Sequence, residues 1–146
     1  MGWRKRMIRS GAIAAAILGL SCLTATQAEE RLFFRMGGEV KLRAAVAELV
    51  NILLQDQRIN FAFAETDLQR FKHQLYMQLC DLAAGPCIYE GRDMRTAHAK
   101  LPLTTAHFNA LTEDLYIAFE RVGISYSLQN EMVALLAPMH RDVVAK

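Results

Sequence analysis

Four histidines are available for chemistry in this 146-residue chain: His73, His98, His107 and His140. Their spacing excludes several reactions at once. There is no HExxH, no CxxC and no His pair at i, i+4, so zinc hydrolase and thioredoxin-type chemistry have no frame. No glycine-rich phosphate loop follows a strand pattern, and serine is scarce near histidine, so a nucleotide site and a serine triad have no support. One pair is different. Met94 and His98 stand four apart and share a helix face. The helix that carries them is short and follows a Gly91-Arg92 turn. A single imidazole on a short helix beside an apolar bundle suits a haem iron, which takes one ring nitrogen while a hydrogen bond holds the other.

The remaining sequence supplies such a bundle. The chain is 53% hydrophobic with three Pro, which allows one domain with a real core and argues against disorder. Leu42, Ala45, Val46, Leu49, Val50 and Leu53 follow i, i+3, i+4 spacing, predicting a helix over residues 39–55 with one apolar stripe. Gly37-Gly38 separates it from a short first helix, and residues 55–60 form a polar connection. Thr66 and Gln69 form a capping-box pattern, predicting a helix start there and an end near Gly85-Pro86. Gly91 to Lys100 predicts a shorter helix, followed by Pro102. Thr104 or Thr105 caps the next, with Phe108, Leu111, Leu115 and Phe119 on one stripe and Gly123 at its end. Ser127 opens the last, with Leu128, Met132, Leu135, Leu136 and Met139 inward. No alternating strand pattern, repeat or low-complexity tract is present. The fold class predicted is all-α.

The basic start, Arg4 to Arg9, an apolar run from Gly11 to Leu23 and Thr26-Gln27-Ala28 before Glu29-Glu30 predict a signal peptide over residues 1–28. The apolar run is short for a bilayer span, which needs about 20 residues. The expectation is a periplasmic or secreted protein with its mature domain over 29–146. The alternative is a membrane anchor through uncleaved residues 11–28. Lipidation at Cys22 is a third option, poorly supported by Gly19-Leu20-Ser21. Lys and Arg outnumber Asp and Glu by 17 to 15, but four of the basic residues lie in the leader, leaving 13 to 15. A mildly acidic domain has no general attraction for nucleic acid or an anionic membrane. Of the cysteines, Cys80 and Cys87 remain after cleavage; they either pair, closing a short loop, or stand as two separate buried thiols.

Residues 32–144 resemble the group I truncated haemoglobins. The matching runs are residues 32–38, 55–59 and 63–67, then 85–98, and finally His107-Phe108 and residues 135–139; Tyr89 to His98 is the most specific. The resemblance implies a two-over-two helical sandwich around one haem b. His98 matches the proximal iron ligand, and Met94 the residue that packs on the proximal face. Phe63 matches the aromatic wedged against the porphyrin, and Tyr89 and Phe108 match further pocket aromatics. Gly37-Gly38 matches the family's first glycine pair, whereas the second departs from pattern as Ala84-Gly85.

The distal side departs further. The family commonly places a Tyr where Val50 stands, and often a Gln where Leu75 stands. At about 100° per residue from Phe71, Gln74 falls near 300°, Leu75 near 40° and Gln78 near 340°. His73 falls near 200°, on the opposite face and away from a sixth-ligand position. The distal wall is thus Val50, Phe71, Gln74 and Leu75, with Gln74 the best-placed polar side chain. Arg70, Lys72, Arg92, Arg95 and Lys100 are the cations available to haem propionates. The resemblance implies reversible binding of oxygen, carbon monoxide or nitric oxide. A redox enzyme (nitric oxide dioxygenase or peroxidase-like, served by an external reductase) and a haem carrier are the alternatives.

Overall fold

The computed structural model describes residues 31–144, and the expected signal peptide and Cys22 lie outside them. Among the described residues the regular structure is helical. Seven α-helices follow in order: α1 Leu32–Arg35, α2 Gly38–Leu53, α3 Leu68–Leu82, α4 Met94–His98, α5 Thr105–Arg121, α6 Tyr126–Leu136 and α7 His140–Val143. Two 3₁₀ turns, Asn60–Phe63 and Ala137–Met139, precede α3 and α7. Helix α2 packs along both α5 and α3, and α6 packs on α5 and α3. Two helix pairs, α2/α3 and α5/α6, thus make the two layers of a sandwich. No helix among the described residues is long and apolar enough to cross a membrane.

The predicted stripe on α2 is the centre of the core. Leu42, Ala45, Val46, Leu49, Val50 and Leu53 are all 3% exposed or less. Leu115, Ala118 and Phe119 of α5 and Met132 of α6 complete the cluster from the other layer. Each fully covered side chain of this stripe stabilises the fold at about 25 cal/mol per Å² of apolar surface buried. Gly37 and Gly38 have φ of 96° and 66°, so the α1–α2 turn uses a left-handed path that glycine takes without strain.

Several helix ends differ from expectation. Helix α3 starts at Leu68, and Asp67 rather than Thr66 caps it, accepting from the Gln69 and Arg70 amides. A carboxylate there also meets the positive end of the helix dipole. Residues 91–93 are not helical; Asp93 caps α4 instead, accepting from the Thr96 amide. Thr104 caps α5, and the His107 ring accepts the Thr104 amide in return, at 3.1 Å. Helix α6 begins one residue before Ser127, at Tyr126. Its Ser125 makes no side-chain cap, and the buried Gln129 amide instead donates to the Ile124 carbonyl at 2.8 Å. Leu135, expected inward, is 39% exposed because the chain turns into the 3₁₀ segment around Pro138.

Cys80 and Cys87 are joined by a disulfide, with Cα atoms 5.8 Å apart. Helix α3 stops at Leu82, and Ala84, not Gly85, takes the left-handed conformation, with φ 57°. Gly85 is needed for space: a Cβ there would lie 2.6 Å from Cys80 Sγ and 2.7 Å from Phe33 Cδ2. This turn also receives the first helix, since the Phe33 amide donates to the Ala83 carbonyl at 2.9 Å.

One charge is buried at the other end of α2. Asp114 of α5 is 3% exposed, and its Oδ2 has no hydrogen-bond partner. Arg58 bridges Asp56 at 2.7 Å and Glu113 at 2.5 Å but reaches Asp114 Oδ1 only at 3.8 Å. Burial first, and the neighbouring Asp56 carboxylate second, push the Asp114 carboxyl up to about 6, against the pull of Arg58. The same fork holds Asp56 below the usual carboxylate range.

Two predictions follow from these sites, one at the α3–α4 turn and one on α5. Ala84→Gly relieves left-handed strain and raises unfolding free energy by about 0.5–1 kcal/mol. Gly85→Ala lowers it by about 2 kcal/mol or more, because its neighbours include backbone and a disulfide sulfur. Urea denaturation reads both signs. Asp114 has a raised folded pKa, so its contribution is present below the unfolded value near 4 and is lost as pH rises through about 6. Asp114→Asn should therefore exceed wild-type stability by about 1–3 kcal/mol at pH 7.5 and match it near pH 4. Equal differences at both pH values would refute the buried-carboxylate assignment.

Candidate functional site

The site is built on α4, five residues long, and on the face of α3 turned toward it. Asp93 fixes where α4 begins, through its bonds to the Thr96 amide at 2.9 Å and hydroxyl at 2.7 Å. One turn later, His98 Nδ1 lies 2.7 Å from the Met94 carbonyl oxygen. A carbonyl only accepts, so Nδ1 carries the proton and Nε2 keeps its lone pair. In the neutral ring this leaves one imidazole nitrogen oriented and able to ligate a metal, with the other nitrogen held by backbone.

The other three histidines are committed elsewhere or point away. His107 Nδ1 caps α5, and its ring meets the Phe61 ring edge-on at 5.1 Å. His140 Nε2 lies 3.1 Å from the Thr105 hydroxyl, with its ring edge-on to Phe108 at 5.0 Å. His73 is exposed and lines a cleft of about 190 Å³ between α2 and α3, together with Arg43, Gln69, Lys72 and Tyr76. That cleft is on the side of α3 remote from Phe71.

The remaining sequence-named residues share one property. Phe63, Phe71, Gln74, Leu75, Tyr89, Met94, His98 and Phe108 are all half-buried. Of these, Phe63, Phe71 and Leu75 pack as a partly covered layer against the core, and the Phe63 and Phe71 rings are 5.1 Å apart. Val50 is the exception: it is 1% exposed, buried with the rest of the α2 stripe. Half-covered apolar side chains on one side, and an imidazole with a free ring nitrogen on the other, are the two things a flat, apolar, iron-bearing group needs. The residues fit haem on that ground.

A second cleft, of about 260 Å³, reaches the site from its α3–α4 edge. Its walls are Gln78, Asp81, Leu82, Tyr89, Asp93, Met94, Met139 and Asp142. It touches the chemistry through Met94, not through His98 itself. Within it the Gln78 amide donates to the Met94 sulfur at 3.3 Å and to the Met139 sulfur at 3.6 Å. Gln78 is thus tied across the site. Gln74 makes no side-chain hydrogen bond among the described residues, so no fixed polar donor stands beside Phe71 and Leu75. Tyr89 donates its hydroxyl to the Arg92 carbonyl at 2.8 Å, and burial pushes that phenol up. Of the cations proposed for the rim, Arg95 is already paired with Asp142 of α7 at 2.5 Å.

Leu82 and Met139 were not singled out for this site from sequence. Leu82 lies near 20° on the wheel that contains Phe71 and Gln78, so its spacing carried the signal. Met139 reaches the site because the chain bends at Pro138, and no local pattern reports that. Tyr76 was also missed. It is 4% exposed, lies under the Arg43 guanidinium at 3.8 Å and directs its hydroxyl to Cys87 Sγ at 3.7 Å.

Comparison with known proteins agrees with the helical fold. The family model for "Bacterial-like globin" matches residues 31–145. The group 1 truncated hemoglobin GlbN of Synechocystis sp. is 34% identical over 119 residues, covering 77% of this chain and 96% of that protein. The group 1 truncated hemoglobin of Tetrahymena pyriformis is 28% identical over 117 residues, covering 80% of this chain and 97% of that protein. The crystal structure of the latter in its Fe(III) form superposes with a TM-score of 0.76 at 29% identity, covering 79% of this chain and 98% of that one. The 2/2 hemoglobin of Synechococcus sp. PCC 7002, in the cyanomet state with covalently attached heme, gives 0.74 at 28% identity, covering 80% and 99%. Fold, matched length and sequence likeness together make the chain a member of the bacterial-like globin family, among the group I truncated haemoglobins, with haem iron as its expected cofactor.

Proposed function

We propose that this globin holds one haem b through His98 Nε2 and binds a small diatomic gas reversibly in an apolar distal pocket. The observation that carries this reading is the Nδ1 hydrogen bond to the Met94 carbonyl, which leaves Nε2 as the ligand among half-buried apolar side chains. When bound, ferrous haem supplies the iron that takes the gas. The chain's own part is to orient that imidazole and to keep water out. Phe63, Phe71, Leu75, Met94 and Phe108 would cover the macrocycle, as Val50 and Gln74 would bound the distal side.

Gas preference follows from what the distal wall lacks. A donor to a ligand that draws negative charge contributes about 1.5–3 kcal/mol. Val50, Phe71 and Leu75 offer none, the Gln78 amide is taken by two thioethers, and the Gln74 amide is fixed toward the site by no hydrogen bond among the described residues. Oxygen should therefore leave quickly and the ferrous form should oxidise readily, whereas carbon monoxide, less polar when bound, should suffer less.

We further propose an exported protein, with residues 1–28 as its signal. The cationic start and short apolar run of the leader support this, as does a disulfide, which persists in oxidising compartments.

The test is spectroscopic. Purified protein should give a five-coordinate ferrous spectrum that converts fully under carbon monoxide, and His98→Ala should lose it. Val50→Tyr should slow oxygen dissociation roughly tenfold or more by adding the missing donor. A low-spin six-coordinate ferrous wild type, or slow oxygen loss made fast by Gln74→Ala, would overturn the open apolar pocket.

A further inference from the structure

The segment from Ala83 to Asp93 links α3 to the histidine helix and has no helix of its own. Its course is set by few contacts. The disulfide fastens Cys87 to Cys80 of α3. The Tyr89 amide donates to Asp81 at 3.3 Å, and the Tyr89 ring lies so close over Gly91 that a Cβ there would meet it at 2.3 Å. Asp93 then starts α4, whose five residues are too few to hold their own position. Beyond this segment, α4 is held chiefly by α7, through Arg95 and Asp142.

The two sulfurs of the disulfide differ in access. Cys80 is 0% exposed within the core, whereas Cys87 is half-buried on the linking segment. We infer that Cys87 Sγ is a thiol-exchange site, and that opening the Cys80–Cys87 bond there loosens the segment that positions His98. The inference rests on the reading that His98 holds the haem. It adds a control that the gas-binding reading does not contain.

The chemistry balances with a dithiol as reductant. A thiolate attacks Cys87 Sγ, the S–S bond breaks, and the electron pair leaves on Cys80 Sγ, which is protonated. The second thiol of the reductant then attacks the mixed disulfide at the reductant's own sulfur. It leaves as a disulfide and releases Cys87 as a thiol. Two electrons and two protons pass to the protein. The Tyr76 hydroxyl, 3.7 Å from Cys87 Sγ, is a ready donor to that departing sulfur. Attack at Cys80 is closed by its burial. Once opened, the start of the segment stays fixed by the Ala83 and Gly85 backbone bonds. From Cys87 to α4 it loses its one covalent tie to α3 and keeps the weaker contacts of Cys87 with the core and of Tyr89.

The test uses the full holoprotein, with glutathione as the trapping thiol and dithiothreitol as the reductant. Mass mapping after alkylation should place the glutathione adduct on Cys87 and none on Cys80. Reduced wild type should show faster amide exchange over residues 86–98 and lose haem to apomyoglobin about fivefold faster or more than the oxidised form. Cys80→Ser/Cys87→Ser should match the reduced wild type in both readings. If it fails to fold, the reduced wild type alone carries the comparison, with far-ultraviolet circular dichroism as the check on fold. An adduct on Cys80, or exchange and haem loss unchanged on reduction, would overturn the inference. Adduct position and amide exchange do not depend on which residue ligates iron. If His98→Ala keeps its haem, the ligand reading fails while those two results still decide this one.

Discussion

A single hydrogen bond, from His98 Nδ1 to the Met94 carbonyl, decides what the site can be. It fixes the tautomer, and through the tautomer it fixes which nitrogen is left to bind. An imidazole free to rotate would offer either nitrogen in many directions. Here the acceptor lies one turn back on the same helix, so the ring and its orienting group move together. The rest of the molecule is arranged to put that short helix opposite one face of α3.

The fold separates two tasks that compete for the same apolar side chains. Stability rests on the seam of α2 with α5, where residues such as Leu49 and Phe119 are wholly covered. A second set, Phe63, Phe71, Leu75, Met94 and Phe108, is left half-covered, and in the proposed function these are the side chains that would meet the haem. Surface that stays exposed in the folded chain gives up part of its hydrophobic stabilisation until a ligand covers it. A cofactor that binds the folded state then adds stability by mass action. On the proposed reading, haem would supply the cover that these side chains lack.

Polar and covalent features at the edges support this division. The Arg58 fork and the buried Asp114 tie the α2 exit to α5 at the cost of a poorly satisfied carboxylate. The exposed ion pairs, Arg35 with Glu131 and Arg43 with Glu39, contribute little by comparison. The disulfide, Gly85 and the strained Ala84 crowd into one turn where α1, α3 and the segment leading to α4 converge. That turn is where the helical scaffold meets the functional helix.

Much of this was legible from residue order. The α2 stripe, the breaks at Gly37-Gly38 and Gly123 and the Met94–His98 pair all depend on spacing along one helix, and helical period is a local property. For the same reason the wheel on α3 separated Phe71 from His73, and would have added Leu82. Choices between neighbouring caps were less accessible. Thr66 and Asp67 both suit a helix start, and in the folded chain the Asp67 carboxylate accepts from the Gln69 and Arg70 amides. What only the folded chain decided involves partners distant in sequence. Whether Cys80 and Cys87 pair depends on how the chain turns after α3. Arg95 could have served the haem rim until α7 brought Asp142 against it. Gln78 looked free on its helix until Pro138 bent Met139 into reach of its amide. The residue types and periods set which chemistry was available to this protein. The packing of helices far apart in sequence decided which polar groups were used up by one another, because those partners meet only in the folded chain.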